Sequence, residues 1–252
     1  MISRIEKSRG RINMHLKEVR FLHKSFPFTT VYPFNIEAFN KTSSLSLQNP
    51  ITFFVGENGT GKSTLLRAIA KKSGIHIWER TEGTRMQVNK YEQLLHRFIE
   101  VTWSNGPVPG SFFASEIFNT FAEVIEEWGV VSKEHLKHFG GKSLISQSHG
   151  QGHMSYFKSR YRIKGLYFLD EPENALSPKR QIELLTVLKK MSAQGHAQFI
   201  VATHSPILLA CPNSTLYSFD SAPICPIDYE QTGHYKLYRD FFTERRQFTG
   251  SD

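Results

Sequence analysis

Gly56-Glu57-Asn58-Gly59-Thr60-Gly61-Lys62-Ser63 fits the pattern G-x-x-x-x-G-K-[ST], a loop whose backbone N–H groups cradle phosphate. Its flanks have the order such a loop requires. Ile51, Phe53, Phe54 and Val55 read as a short buried strand, and Leu65, Leu66, Ala68, Ile69 and Ala70 open a helical pattern directly after it. Glycines let the backbone turn tightly and aim successive N–H groups inward, while the helix adds its positive N-terminal end. In this reading Gly56, Asn58, Gly59 and Gly61 shape the cradle, and Lys62 reaches the β- and γ-phosphates. The Ser63 hydroxyl helps to hold Mg²⁺.

Composition bounds the rest. The 252 residues suffice for one large α/β domain or two small ones, with a full core. Cys211 and Cys225 lie in no metal-like spacing, which suits a reducing compartment. The charged N-terminus (Arg4, Glu6, Lys7, Arg9, Arg11) lacks the apolar core of a signal peptide, and no stretch reaches transmembrane length. The expectation is a soluble, cytoplasmic protein without direct membrane insertion. The net charge of +8 suits nucleic acid, a nucleotide or an acidic protein partner, and equally a solvated basic face. Charge alone decides nothing here.

Before the loop, residues 1 to 55 read as strands and turns, with strands at Val19 to Leu22, loosely at Phe34 to Phe39, and around Leu45 and Leu47. Phe26-Pro27-Phe28 and Tyr32-Pro33-Phe34 are aromatic–proline turns, and one of these rings is a candidate to stack on a base, against the plainer role of core packing. The helix after the loop ends near Gly74. Helical spacing then marks Tyr91, Leu94, Leu95, Phe98 and Ile99, and again Ile117, Phe118, Phe121, Val124, Ile125 and Trp128, with a turn at Asn105 to Gly110 between them. These segments predict a smaller, mostly helical lobe, approximately residues 76–150, inserted in the core. The segment Gln147-Ser148-His149-Gly150-Gln151-Gly152 offers hydroxyl and N–H donors at a helix start, suited to an anion. His149 with His153, and His135 with His138, have helical spacings but no convincing further ligands for a metal.

Gly165 to Leu169 predicts a buried strand that delivers Asp170 and Glu171 at its C-terminal end, where ligands gather in open α/β sheets. Asp170 is placed to support Mg²⁺, and Glu171 to orient and polarise an attacking water. Ser177 and Pro178 begin a helix that ends near Gly195. Gln198 to Thr203 predicts another buried strand, and it delivers His204; Ser205 and Pro206 start the next helix. A histidine at a strand tip beside the loop and the Asp-Glu pair points to the γ-phosphate. Strands are expected at Leu216 to Phe219 and Ile224 to Tyr229. A helix through Tyr235, Leu237, Tyr238, Phe241 and Phe242 follows, before a disordered end.

With these residues in order the chain resembles the ABC-type ATPases over nearly its whole length. Gly56 to Ser63 matches the P-loop with Thr64 as a further phosphate neighbour, and Leu166 to Glu171 the Walker B strand with its glutamate. Asn174 to Ser177 looks like the D-loop, His204 the switch histidine, and Ser148, Gly150 and Gln151 the signature motif. The resemblance implies a single ABC-type domain over 1–252, an α/β P-loop fold with a mostly parallel core sheet, N-terminal antiparallel strands and the inserted helical lobe. It implies ATP and Mg²⁺ as cofactors, hydrolysis with Glu171 and His204 as catalytic residues, and an ATP-dependent homodimer in which Ser148, Gly150 and Gln151 of one chain meet the nucleotide of the other. His149 stands where transporters usually have glycine, and Ser177 where many members have aspartate. The strings around Asp170 and His204 look more like small stand-alone bacterial ATPases related to the RecF and SMC branch, without coiled-coil arms. Glu116 is the best match to a Q-loop residue. The work driven by ATP has three readings: DNA maintenance or phage defence with a nucleic-acid or effector partner, a transporter's nucleotide-binding subunit, or a non-catalytic scaffold. Glu171 and His204 disfavour the last.

Overall fold

The computed structural model describes residues 14–78, 89–131 and 149–250. Three runs of apolar residues, Ile51–Val55 (β3), Gly165–Asp170 (β6) and Ala197–Ala202 (β7), are buried at every position. Strands with no polar face must be covered on both sides, which is the situation of a parallel sheet between helices. Gly110–Ala114 (β5), Thr215–Ser218 (β8) and Cys225–Pro226 (β9) complete that sheet among the described residues, in the order β5-β6-β7-β3-β8-β9. The first four pairings are parallel, and β9 runs antiparallel to β8.

Alternate side chains feed two cores. Phe54, Phe112, Phe168, Ile200 and Tyr217 join Leu65, Leu66 and Ile69 of Lys62–Lys72 (α2) on one side. Phe53, Phe113, Tyr167, Phe199 and Val201 face the other side, against His149–Arg160 (α4), Pro178–Ala193 (α5) and Pro206–Leu209 (α6). A second, antiparallel sheet has Leu16–Phe21 (β1) between Ser44–Ser46 (β2) and Ile99–Trp103 (β4). Buried Gln198 ties the two sheets together. Its side-chain oxygen accepts from the N–H of His15 (2.9 Å) and Leu16 (2.8 Å), and its amide donates to Leu16 O (2.8 Å).

Several elements differ from the sequence expectation. Phe34 to Phe39 is a turn running into a short helix, Glu37–Lys41 (α1), because Phe34, Ala38 and Phe39 share a buried face at helical rather than alternating spacing. The stretch from Tyr91 to Ile99 is turns and a 3₁₀ segment, and Ile99 opens β4, paired with Phe21. Cross-strand pairing overrides the apolar period there. The region 76–150 therefore holds β4 and β5, and its helical part among the described residues is Ser115–Val131 (α3) and the start of α4. Of Ile224 to Tyr229 only Cys225–Pro226 forms a strand, with the Ile227 N–H also donating to Leu216 O at 2.9 Å; Pro226 itself has no N–H to offer the ladder. The helix expected through Tyr235 to Phe242 is Gly233–Thr243 (α7), and Arg245–Thr249 (α8) follows where disorder was expected. Among the described residues no helix is long and apolar enough to cross a membrane.

Candidate functional site

β3, β7 and β6 are consecutive in the sheet, so their C-terminal tips bring the Gly56–Ser63 loop, His204 and the Asp170-Glu171 pair side by side. The loop closes on itself through Lys62, whose buried Nζ donates to the carbonyls of Gly56 and Glu57, each at 2.7 Å. Burial pushes the Lys62 ammonium down from its ordinary pKa, opposed by Glu171, Asp220, Asp170 and Glu57. Two glycines are required by geometry. Gly61 has φ +99°, and a Cβ there would lie 2.7 Å from the ring of Phe39; at Gly56, with φ +152°, it would lie 2.9 Å from Asp220 Oδ1. Gly59 also has positive φ, and Asn58 lies between them.

Asp220, unmarked by any motif, accepts from the Glu57 N–H at 2.7 Å and so pins the loop to the end of β8. Ser63 Oγ donates to Asp170 Oδ1 at 2.7 Å, and Arg67 Nε is 3.6 Å from Asp170 Oδ2 while its Nη2 meets Glu116. Burial drives the Asp170 pKa up to about 6 in spite of the Ser63 hydroxyl and Arg67. Thr64 Oγ1 is 2.5 Å from the Tyr32 hydroxyl. Tyr32, Ser63, Thr64, Arg67, Glu116 and Asp170 are among the residues lining a cleft of about 590 Å³.

Glu171 leaves β6 in the left-handed region (φ 46°), held by its N–H to Ala202 O at 2.9 Å and by the Asn174 N–H to its own carbonyl at 3.2 Å. That turn aims the carboxylate across the sheet end. Oε2 accepts from Asn174 Nδ2 at 2.8 Å, and Oε1 lies 3.6 Å from His204 Nε2. The His204 backbone N–H donates to Glu173 Oε1 at 2.6 Å, and burial raises the Glu173 pKa. Burial, with Lys62 and His234 adding to it, holds His204 below the ordinary imidazole value.

Ser148 lies outside the described residues. Gly150 and Gln151 fall in the first turn of α4, and a Cβ on Gly150 would sit 3.2 Å from the Ala175 carbonyl, placing that turn beside the segment that follows Glu171. His153 is packed between the rings of Phe118 and Phe113, at 4.1 and 5.1 Å. Among the described residues no group of three or more His, Cys, Asp or Glu could hold a metal ion. Of the rings in the two proline turns, Phe26 and Phe34 pack together, Phe28 packs on Tyr91, and the Tyr32 hydroxyl meets Thr64 at the start of the helix that follows the loop. Sequence reading missed Asp220, Arg67, Glu173 and His234. The first Glu of Asp170-Glu171-Pro172-Glu173 drew attention from the second, and the other three carry no local signal at all.

Comparison with known proteins agrees with this layout. Residues 152–210 match a family described as "AAA domain, putative AbiEii toxin, Type IV TA system", and residues 34–70 match an AAA domain family. The thiamine import ATP-binding protein ThiQ of Cereibacter sphaeroides is 28% identical over 166 residues, covering 60% of this chain and 69% of that one. The energy-coupling factor transporter ATP-binding protein EcfA2 of Mycoplasma capricolum is 22% identical over 218 residues, 75% and 71% of the two chains. The structure of cbiO1 from Clostridium perfringens, part of the ABC transporter complex cbiONQ, superposes with a TM-score of 0.55 at 15% identity, over 92% of this chain and 97% of that one, which speaks for the fold. In the order of its motifs, its sheet topology and these matches, the chain is similar to the ABC-type ATPases.

Proposed function

We propose that the protein binds ATP with Mg²⁺ and hydrolyses it, as a single ABC-type domain over 1–252 that works as a nucleotide-bridged homodimer. The observation that carries this reading is the meeting of three strand tips, with Ser63 Oγ 2.7 Å from Asp170 Oδ1 and His204 Nε2 3.6 Å from Glu171 Oε1. The residues fit the cofactors. An adjacent hydroxyl and carboxylate form the all-oxygen donor set a hard cation takes. A lysine folded onto its own loop carbonyls marks where a phosphate is enclosed, at the start of an 11-residue helix. When bound, the nucleotide would supply the transferable phosphoryl group and the ion would offset the charge developing on it.

The chain's residues divide the remaining tasks. Gly56, Asn58, Gly59 and Gly61 shape the cradle, Lys62 and Thr64 hold phosphate oxygens, and Ser63 and Asp170 hold the ion. Glu171, fixed by Asn174, orients and polarises the water. His204 donates to the γ-phosphate side, Tyr32 lies by the base, and Ser148, Gly150 and Gln151 close the neighbour's site. The biological setting we favour is DNA maintenance or phage defence, with a nucleic-acid or effector partner in the cytoplasm. The family matched by 152–210 and the net charge of +8 support it. A transporter's nucleotide-binding subunit is the second reading, favoured by the two curated relatives.

Lys62→Ala and Glu171→Gln test the chemistry. Lys62→Ala is expected to lose most nucleotide affinity, because the phosphates lose their point charge. Glu171→Gln is expected to keep affinity and lose turnover by about 10²-fold or more, because an amide is no base. Wild-type phosphate release by Glu171→Gln would remove Glu171 from the mechanism. Salt-dependent retention of duplex DNA by Glu171→Gln with Mg-ATP would separate the DNA reading from the transporter one.

A further inference from the structure

His234 belongs to no motif, yet its ring meets the switch histidine. It is the second residue of α7, whose start is fixed by Thr232. That side chain accepts from the Tyr235 N–H at 3.2 Å and donates to Tyr229 O at 2.7 Å. His234 Nε2 lies 3.0 Å from His204 Nδ1. The two rings share one hydrogen bond, and burial, which holds both below the ordinary imidazole pKa, favours their neutral forms. In such a pair one nitrogen donates and the other accepts, and the choice fixes the tautomer of both rings.

The far side of His204 decides the direction. Its Nε2 is buried, has no hydrogen-bond partner among the described residues, and faces Glu171 Oε1 at 3.6 Å. Were His204 to donate from Nδ1, its Nε2 would turn a lone pair on that carboxylate oxygen. With His234 as donor, His204 instead turns an N–H toward it. The bare lone pair then falls on His234 Nδ1, which is buried without a hydrogen-bond partner among the described residues. We propose that His234 is a positioning residue: by donating from Nε2 to Nδ1 of His204 it keeps the His204 proton on Nε2, the nitrogen that faces Glu171. The catalytic consequence rests on the role given to His204 above, whereas the tautomer does not. The backbone of His204 is anchored separately through Glu173 Oε1, so the residue is held from two places, the 3₁₀ segment Pro172–Ala175 after β6 and the start of α7.

The test uses the full chain with ¹⁵N-labelled imidazoles. Long-range ¹H–¹⁵N correlations, assigned with His204→Gln and His234→Gln, report which nitrogen of each ring is protonated. Both rings are expected to be protonated on Nε2, and a His204 proton on Nδ1, or one averaged between the nitrogens, overturns the proposal. In turnover, His234→Ala is expected to lower kcat about ten- to a hundredfold, the usual scale for a partner that orients a functional histidine, with nucleotide affinity unchanged. His234→Gln, whose amide N–H can take the place of Nε2–H, is expected to restore most of that rate. Equal rates for Ala and Gln variants would overturn the positioning role. Unchanged turnover in His204→Ala would instead defeat the role of His204 itself, and the wild-type spectrum would still decide the tautomer.

Discussion

At Asp170 a carboxylate sits at the end of a wholly apolar strand, and burial raises its pKa from 3.8 to about 6. A folded-state pKa above the unfolded one means that the folded protein holds the proton more tightly. The contribution of this group to stability is therefore fully present below about pH 4 and is lost as pH rises through about 6. Near neutral pH the ionised side chain costs the nucleotide-free protein up to about 3 kcal/mol, at roughly 1.4 kcal/mol per pKa unit. Asp170→Asn keeps the shape and removes the charge. It is expected to be more stable than wild type at neutral pH, with the difference shrinking toward pH 4, as read by urea unfolding without Mg²⁺. A variant less stable than wild type at neutral pH would show that Ser63 and Arg67 more than offset the burial.

Among the longer described helices, α7 has the weakest claim to tertiary support. None of its residues is buried, and Leu237 (56% exposed) and Phe242 (74%) stand in solvent. A helix of 11 residues with so little packing depends on its cap. Thr232, 1% exposed, supplies that cap. Thr232→Ala is expected to weaken α7 by about 1 kcal/mol, so its amides should exchange about fivefold faster while those of α2 stay unchanged. Uniform acceleration across both helices would mean that Thr232 supports the global fold rather than one element. The position of His234 depends on the same cap, which makes α7 the element through which the sheet end feels the C-terminal segment.

For the whole molecule the decisive property is assembly. Lys62 and the Ser148 segment are far apart in sequence, and Gly150 of that segment lies near Ala175. A site completed by a second chain predicts that Glu171→Gln dimerises with Mg-ATP but not with ADP, which light scattering measures; equal masses in both states would count against it. Ser148→Arg should block closure by bulk and charge while leaving nucleotide binding intact. Mixed with Lys62→Ala, it places both lesions in one composite site and leaves the other whole. Partial recovery of turnover on mixing is what the trans arrangement requires, and no recovery in proven mixed dimers would argue that it fails or that both sites fire together.

The loop, the strands β3, β6 and β7 and the helix starts at Lys62, Pro178 and Pro206 were legible because each is dictated locally: glycine backbone freedom, unbroken apolar runs, and Ser-Pro starts. That Asp170, Glu171 and His204 share one sheet end was also legible, since each follows a buried strand. What local pattern could not say was decided by pairing and burial across the chain. Phe34 to Phe39 bent into a helix because its rings fill the core beneath α2, and Ile99 became strand because β1 offered it an edge. Asp220 entered the loop only because β8 runs parallel to β3. His234 reached His204 only because α7 folds back over the sheet end. A side chain supplied from a remote element, with no period or spacing to announce it, is set by tertiary structure alone.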